Sequence, residues 1–320
     1  VMCIDILGSQ AENPMFGRVL KQIKAKVEEG ASLSEAMAEH PAIFDKLFTS
    51  LVLAGETGGV LDVVMQRLAV YKEKADALTK KIKSAMMYPA ITVLVALGVV
   101  FLLMTMVLPA FKSMFADFGG SLPELTKRVM ALSDWMVANL ATIFLSVFST
   151  WVVWVLIRRS KKGHYYTDKM FLYLPVLGPL IRKTAVASFT RTLGTMLQSG
   201  VSIIDALEIC SESSGNDIVA EAIDNTRAQI AEGKAMVEPL LDSGVFPAMV
   251  CSMIAVGEQS GALDIMLTKI ADFYDDEVDS AVDGLTSMIE PFLMVFLGGT
   301  IGTLVIAMYL PIFDIINQVG

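Results

Sequence analysis

Residues with catalytic or metal-binding chemistry are scarce in this chain. It contains three cysteines, Cys3, Cys210 and Cys251, and two histidines, His40 and His164. The cysteines show no C-x-x-C spacing and no neighbouring histidine, which argues against a disulfide framework or a zinc site and favours buried small apolar residues. The motifs G-x-x-x-x-G-K-[ST], H-E-x-x-H and G-x-S-x-G are absent. We therefore expect a protein that is not an enzyme and uses no cofactor or metal.

Charge is also scarce, and long apolar runs take its place. Charged residues make up 18% of the chain and hydrophobic residues 54%, more apolar than an ordinary soluble domain. A net charge of -9 makes nucleic acid a poor partner. Three runs without Lys, Arg, Asp or Glu exceed the roughly 18 residues that mark a membrane-spanning helix. These predicted transmembrane helices are 84–111, 135–157 and 291–313.

The positions of lysine and arginine predict the orientation of these spans. Lys72, Lys74, Lys80, Lys81 and Lys83 precede the first span, and four more basic residues at 158–162 follow the second. Positive residues favour the cytoplasmic side of a membrane. We therefore place 1–83 and 158–290 in the cytoplasm, and the loop 112–134 and the tail 314–320 outside.

The regions between the spans have helical patterns. Val19, Ile23 and Val27 recur every four residues until Gly30, which suits a helix end. Ser32 and Glu35 then fit a capping box that starts another helix. No stretch alternates with a period of two, so we predict an all-α membrane protein.

One phrase occurs twice, 202 residues apart: GETGGVLD at 55–62 and GEQSGALD at 257–264. The match continues through Pro89 with Pro291 and Pro109 with Pro311, so the chain repeats a helical domain followed by one span. The prolines of each pair of span ends are 20 residues apart, or about 30 Å of helix, which is the thickness of the bilayer core. We interpret these prolines as markers of the span ends, because proline suits a helix start and a helix stop. The repeated corner residues are Gly55, Glu56, Gly59, Leu61, Asp62 and Gly257, Glu258, Gly261, Leu263, Asp264.

The repeated phrase predicts a corner between two helices. Gly55 and Gly257 would stop one helix in a left-handed turn, and Thr57 or Ser260 would help to cap the next. The dipole of that following helix would favour Glu56.

Two functional alternatives remain for the acidic residues of this corner. Glu56 and Glu258 could contact a partner protein or a second protomer. Glu56 and Asp62 could instead hold a cation such as calcium, although two carboxylates make a poor cage.

The helices that lead into the first and third spans carry opposite charges. By the repeat offset, Lys74 matches Asp276 and Lys81 matches Asp283. We hypothesise that these equivalent helices face each other, within a protomer or across a dimer. In the alternative, the lysines face anionic lipid, the acids are solvated, and any exposed pair gives only about 0–1 kcal/mol.

Further features of the spans bear on packing and transport. Gly298 and Gly302 form a G-x-x-x-G face, which favours close helix packing, including packing between protomers. Internal repeats also occur in transporters, but no span here contains a charged residue or histidine. A transporter, or a scaffold without a motor, stays open as a further alternative.

Four motifs together resemble one family. They are the doubled GE-x-x-G-x-L-D, the F-x-R-x-L-x-x-M-L-x-S-G at 189–200, the MYPA at 87–90 and the AMYLPIF at 307–313. They resemble the inner-membrane platform proteins of type IV pilus and type II secretion machines across the whole chain. The segment FADFGGSLPELT at 115–126 is more similar to the pilus branch, the PilC family.

This resemblance implies a bacterial inner-membrane protein with two cytoplasmic helical-bundle domains and a periplasmic carboxyl terminus. It implies a dimer or tetramer seated at the centre of a hexameric ATPase, with pilin subunits and inner-membrane alignment proteins as further partners. The motif at 189–200 precedes the position that matches Val1. We therefore expect a trimmed first domain without its opening helix. In the family, the amino-terminal segment that precedes the first domain includes this helix and is a candidate contact for the ATPase.

Overall fold

The computed structural model describes residues 1–117, 123–175 and 177–319, and the side chains of 1–112, 123–175 and 177–313. Across these ranges the structure contains helices and no strand, which confirms the all-α fold. Much of the segment 115–126 and the tail 314–320, on which sequence expectations rest, lie outside the described side chains.

The helices follow one another in three groups. The first group is α1 (Met2–Gln10), α2 (Pro14–Glu28), α3 (Leu33–Ala38), α4 (Lys46–Gly58) and α5 (Leu61–Leu102). A π turn (Leu103–Val107) leads to α6 (Leu108–Asp117), α7 (Glu124–Ala138), α8 (Leu140–Arg159) and α9 (Lys161–Tyr173). The last group is α10 (Leu177–Gln198), α11 (Ile203–Ser213), α12 (Asp217–Ala231), α13 (Val237–Asp242), α14 (Ala248–Ser260) and α15 (Leu263–Val319).

The order of these helices matches the sequence repeat. Helices α1 to α5 correspond to α11 to α15, with α3 and α13 each of 6 residues and α4 and α14 each of 13. The capping box of Ser32 and Glu35 is present at the start of α3, as predicted. Gly30, at the end of α2, has a φ of 103°, which glycine adopts without strain. Local start and stop signals therefore define these helices as the sequence indicates.

The chain forms two compact units. The first unit consists of Val1–Lys80 and Tyr165–Asp279, and the second of Lys81–His164 and Ser280–Gly320. In the first unit, Ile23 and Leu51 from one repeat share a hydrophobic core with Leu193 and Ile254 from the other, all at 0% exposure. The two helical regions that the sequence treats as separate domains thus pack as one body.

The second unit carries the apolar helices. Among the residues that the structure describes, three helices are long and apolar enough to cross a membrane: Leu61–Lys112, Leu140–Arg159 and Leu263–Phe313. The first and the last of them begin in residues of the first unit. The bent pair α9 and α10 passes the same test jointly, but α10 supplies eleven buried residues. We therefore retain the three predicted spans.

The prolines do not act as the sequence predicted. Pro89 lies inside α5, and both Pro291 and Pro311 lie inside α15, so no helix starts or stops at them. Pro109 is the second residue of α6, directly after the π turn. A proline removes one backbone hydrogen bond, and a helix continues through it where a neighbouring group satisfies the freed carbonyl.

One helix boundary also differs from the prediction. The second span was expected to begin at residue 135, but residues 135–138 belong to α7, and α8 begins at Leu140. At Asn139, between the two helices, φ is -112° and ψ is 21°, which interrupts the regular helix. An unbroken apolar run in the sequence therefore contains two helices.

Candidate functional site

Each repeated corner ends its first helix at the second of two candidate glycines. Gly59 and Gly261 adopt the left-handed conformation with φ of 66° and 68°. The next residue then donates its backbone N–H back to the helix, over 2.9 Å from Val60 to Gly55 and 3.0 Å from Ala262 to Gly257. This is the hydrogen-bond pattern of a glycine-terminated helix. The expectation that Gly55 and Gly257 stop the helix was wrong by four residues.

Gly55 and Gly257 instead allow two helices to approach closely. Both are buried inside their helices. A Cβ atom at Gly55 would lie 3.1 Å from the Cα of Leu61, and one at Gly257 would lie 2.9 Å from the Cα of Leu263. A side chain at Gly257 would force the following helix to shift, and one at Gly55 would be closer to that helix than most side chains come to a neighbour.

The hydroxyls in the corner do not cap the following helix, contrary to the prediction. Thr57 donates to the carbonyl of Leu53 at 2.9 Å, and Ser260 donates to the carbonyl of Val256 at 2.7 Å. Both bonds lie within the preceding helix because the chain remains helical through these residues.

The repeated glutamate caps a short helix that lies earlier in the same repeat. The carboxylate of Glu56 accepts hydrogen bonds from the N–H groups of Leu33 and Ser34, at 2.6 and 3.0 Å, and from the Ser34 hydroxyl at 2.6 Å. These N–H groups open α3. In the second repeat, Glu258 accepts from the N–H of Met236 at 2.9 Å, directly before α13. The predicted interaction of Glu56 with the following helix was therefore wrong.

The environment of Glu56 favours its charged form. Partial burial raises the pKa of its carboxyl group, but the hydrogen bonds from Ser34 and Leu33 outweigh that effect and lower the pKa below its ordinary value. Both carboxylate oxygens are engaged in these bonds, which counts against the calcium alternative. Asp62, the other proposed calcium ligand, is exposed in the first turn of α5.

The first repeat contacts the second through polar groups on α5, α10 and α15. Lys74 on α5 lies 2.7 Å from the carboxylate of Asp272 on α15. Arg191 on α10 is 10% exposed, pairs with Asp275 and lies 3.7 Å from Asp272. The hydroxyl of Tyr71 on α5 lies 3.0 Å from that of Thr192 on α10. We call this group the stem cluster, because it connects the helices that continue into the spans.

An open cleft of about 330 Å³ lies beside the stem cluster. Its lining includes Arg67, Lys74, Arg191 and Asp272, and Arg67 donates to the carbonyl of Gln198. Most of these charged groups pair with each other, and these pairs stabilise the packing of the helices around the cleft. They leave few charged groups free to act on a bound molecule. Sequence reasoning gave Arg67 and Arg191 no role, because their acceptors lie more than 80 residues away.

The structure pairs one of the predicted lysines with an acid on α15, but not with the predicted acid. Lys74 meets Asp272, one helical turn before the expected Asp276. Asp276 and Asp283 are exposed and form no ion pair within the described part of the chain. Pairing of Lys74 and Lys81 with these two acids stays a prediction.

Two smaller expectations have different outcomes. Gly298 and Gly302 have open space beside their Cα atoms, so their contact with another helix also stays a prediction. Cys210 and Cys251 are buried, as expected, whereas Cys3 is exposed, contrary to the expectation. Burial raises the pKa of the Cys210 thiol.

The fold defines a class: an all-α protein with three candidate membrane spans, in which a helical unit with a glutamate-capped corner occurs twice. The chain belongs to the family described as type II secretion system (T2SS), protein F. The model of that family matches residues 1–109 and 189–311, which are the two repeat units.

Relatives from both kinds of machine match almost the whole chain. The type IV pilus assembly protein PilC of Myxococcus xanthus is 50% identical, over all of this chain and 76% of its own length. The type IV pilus assembly protein PilC of Thermus thermophilus is 43% identical, over all of this chain and 79% of its own length. Type II secretion system protein F of Vibrio cholerae is 32% identical, over 98% of this chain and 78% of its own length.

Proposed function

We propose that this chain is the inner-membrane platform of a type IV pilus machine. In this role it couples a cytoplasmic hexameric ATPase to the insertion of pilin subunits at the base of the fibre, and to their removal where the pilus retracts. The observation that carries the choice of branch is identity: 50% to a pilus assembly protein against 32% to a secretion protein, each over nearly the whole chain.

The first unit has features that suit the transmission of force. The two repeats share one core, and the stem cluster bridges α5 and α15 through α10. Helices α5 and α15, which we call the stem helices, each continue without a loop into an apolar span. A displacement applied to the first unit would therefore act on both stems together. The chemistry of ATP hydrolysis belongs to the partner, and this chain acts as a non-enzymatic component.

The proposed orientation places residues 1–80 and 165–279 in the cytoplasm and the carboxyl terminus in the periplasm. It rests on the lysines and arginines that flank the first two spans. Pilin and the alignment proteins would meet the apolar helices and the periplasmic segments, and the platform would work as a homodimer or homotetramer. A cysteine introduced at either end of α8 and treated with a membrane-impermeant thiol reagent tests the topology. Labelling from the cytoplasmic side at residue 140 would reverse it.

Deletion of the gene in its host separates the pilus branch from the secretion branch. Pilin is measured in the sheared surface fraction and in the membrane, next to retained and released exoproteins. We expect pilin to stay in the membrane without fibres while exoproteins leave normally. Persistent fibres with retained exoproteins would favour the type II secretion platform, and no change in either would favour a transporter or a scaffold.

The ATPase contact needs a separate test, because a scaffold without a motor could also affect fibres. Full-length protein in detergent is mixed with the hexameric pilus ATPase of the same host, and binding and ATP turnover are measured. We expect saturable binding that withstands removal of the periplasmic tail. Failure to bind, together with unchanged turnover, would count against the coupling role.

The charge pairing between protomers has its own test. Reversal of Lys74 and Lys81 to Glu should weaken assembly, and reversal of Asp276 and Asp283 to Lys in the same chain should restore it. Since Lys74 meets Asp272 within the protomer, Asp272→Lys serves as the matched control. Rescue by Asp272→Lys alone would assign the effect to the stem cluster and remove the pairing between protomers.

A further inference from the structure

Helix α7 has one buried face in the second unit, and this face carries two hydroxyl groups. Thr126, Met130 and Ser133 occur at spacings of four and three, so they lie on the same side of the helix. They are exposed by 1%, 5% and 1%, respectively. Met130 packs in an apolar cluster with Met104, Leu108 and Leu304. Thr126 and Ser133 therefore stand at the two ends of an otherwise apolar contact surface.

The hydroxyl of Thr126 meets a carbonyl that a proline has freed. In a regular α-helix the carbonyl of Ala307 accepts from the N–H of residue 311, but Pro311 has none. Thr126 donates its hydroxyl to that same carbonyl at 2.6 Å. The gap in the backbone ladder of α15 is thus closed by a side chain from α7.

The hydroxyl of Ser133 meets a second carbonyl of this kind, in the π turn that follows α5. In the π turn the N–H of Leu108 donates to the carbonyl of Leu103, five residues earlier. The next bond of this type would run from residue 109 to the carbonyl of Met104, but Pro109 has no N–H. Ser133 donates its hydroxyl to the carbonyl of Met104.

We propose that α7 is a strap that closes both proline gaps at once and so fixes this part of α5 and α6 to α15. An unpaired carbonyl is costly in an apolar environment, and hydroxyl groups are the donors that satisfy such groups in proline-containing spans. The two hydroxyls are seven residues apart on one rigid helix, and the ion pair between Lys112 and Asp134, at 2.6 Å, holds the same helix to α6. Movement of α15, or of the segment that joins α5 to α6, away from α7 would therefore leave a carbonyl unpaired, so that these helices move together with α7. This inference does not depend on the proposed function.

A double-mutant cycle tests the pairing of each hydroxyl with its proline. Thr126→Val removes the hydroxyl with little change of shape, and Pro311→Ala gives Ala307 a partner within α15. In full-length protein in detergent, we expect Thr126→Val to lower the unfolding midpoint by about 3–6 °C. In the Pro311→Ala background we expect less than half of that shift. An equal shift in both backgrounds would overturn the proposal.

The second gap supplies an independent cycle and a crossed control. Ser133→Ala should couple in the same way to Pro109→Ala, whereas Thr126→Val combined with Pro109→Ala should give additive shifts. Equal coupling in the crossed pair would mean a general loosening of the unit and would remove the specific role of the hydroxyls.

Accessibility of the buried face tests the strap itself. A Met130→Cys thiol is placed in a Cys3→Ser background, and its rate of maleimide labelling is measured in membranes. We expect Thr126→Val together with Ser133→Ala to raise this rate at least about tenfold, and Thr126→Ser to leave it near that of the parent, because a serine keeps the hydroxyl. An unchanged rate in the double variant would refute the strap.

Discussion

The hydrogen bonds of Glu56 to α3 predict that a single substitution in the corner destabilises a helix far from it in sequence. Glu56→Ala removes three bonds, to two backbone N–H groups and one hydroxyl. Bonds to a charged group contribute about 1.5–3 kcal/mol each, but helix-cap removal costs about 0.5–2 kcal/mol in total, since water reaches the freed donors. Glu56 is partly exposed, so the range for a helix cap applies rather than the sum of three buried bonds. Because three bonds are lost at once, we take the upper end of that range, about 2 kcal/mol.

The assay is thermal unfolding of the full-length protein in detergent. A loss of about 2 kcal/mol corresponds to a shift of about 4–8 °C for a unit of this size. Glu258→Ala removes one recorded bond, from Met236, and should shift the midpoint about half as far. Glu56→Gln should fall between the parent and Glu56→Ala, because it keeps an acceptor oxygen and loses the charge.

A control and the pH dependence make this prediction refutable. Glu73, exposed on α5, offers a matched substitution to Ala that should change stability by no more than about 0.5 kcal/mol. Folding lowers the pKa of Glu56 below its ordinary value of 4.5, so its contribution is present above that pH and is lost as the pH falls through the folded pKa. The difference between parent and Glu56→Ala should therefore shrink in acid. An effect no larger than that of Glu73→Ala at neutral pH would refute the capping role.

Three further predictions concern the first unit. Gly257→Ala should destabilise it by about 1–3 kcal/mol, because the new Cβ would lie 2.9 Å from a backbone atom, whereas Gly284→Ala in open space should be neutral or stabilising in the same unfolding assay. Arg191→Ala should cost about 2 kcal/mol, between the values for buried and exposed pairs, because it leaves the partly buried Asp275 without its partner, and Lys74→Ala, in an exposed pair, less than about 1 kcal/mol; equal losses in chemical unfolding would contradict this ranking. Cys210 should resist maleimide in the native protein and react on unfolding, since burial raises the pKa of its thiol; mass spectrometry that finds it labelled natively would show that the core opens.

The sequence predicted features that depend on neighbouring residues. The helical fold, the repeat and the capping box of Ser32 and Glu35 follow from short-range patterns, and the structure contains all three. The hydrophobic runs also indicated three spans, although the break at Asn139 has no clear signal in an apolar stretch.

The errors arise where distant contacts decide the outcome. Gly55 looks like a helix stop, but its lack of a side chain serves a contact with Leu61, and Gly59 ends the helix. Glu56 looks like a dipole partner for the next helix, but its acceptor atoms meet a helix that begins more than 20 residues earlier. The prolines resemble helix ends in the sequence, yet α15 continues through Pro291 and Pro311, and the carbonyl of Ala307 that Pro311 leaves without a backbone donor accepts a hydrogen bond from Thr126.

The π turn breaks the internal symmetry of a duplicated protein. The corner aspartates and the second prolines are 202 residues apart in both cases, so neither copy has gained a residue between them. One copy nevertheless places its freed carbonyl at Met104 and the other at Ala307, which are 203 residues apart. A one-residue step in a helix is a rise of about 1.5 Å and a rotation of about 100°. The single helix α7 therefore meets the two repeats at positions that differ by one residue, so the repeats differ in helix geometry although equal numbers of residues separate the aspartate from the proline in each.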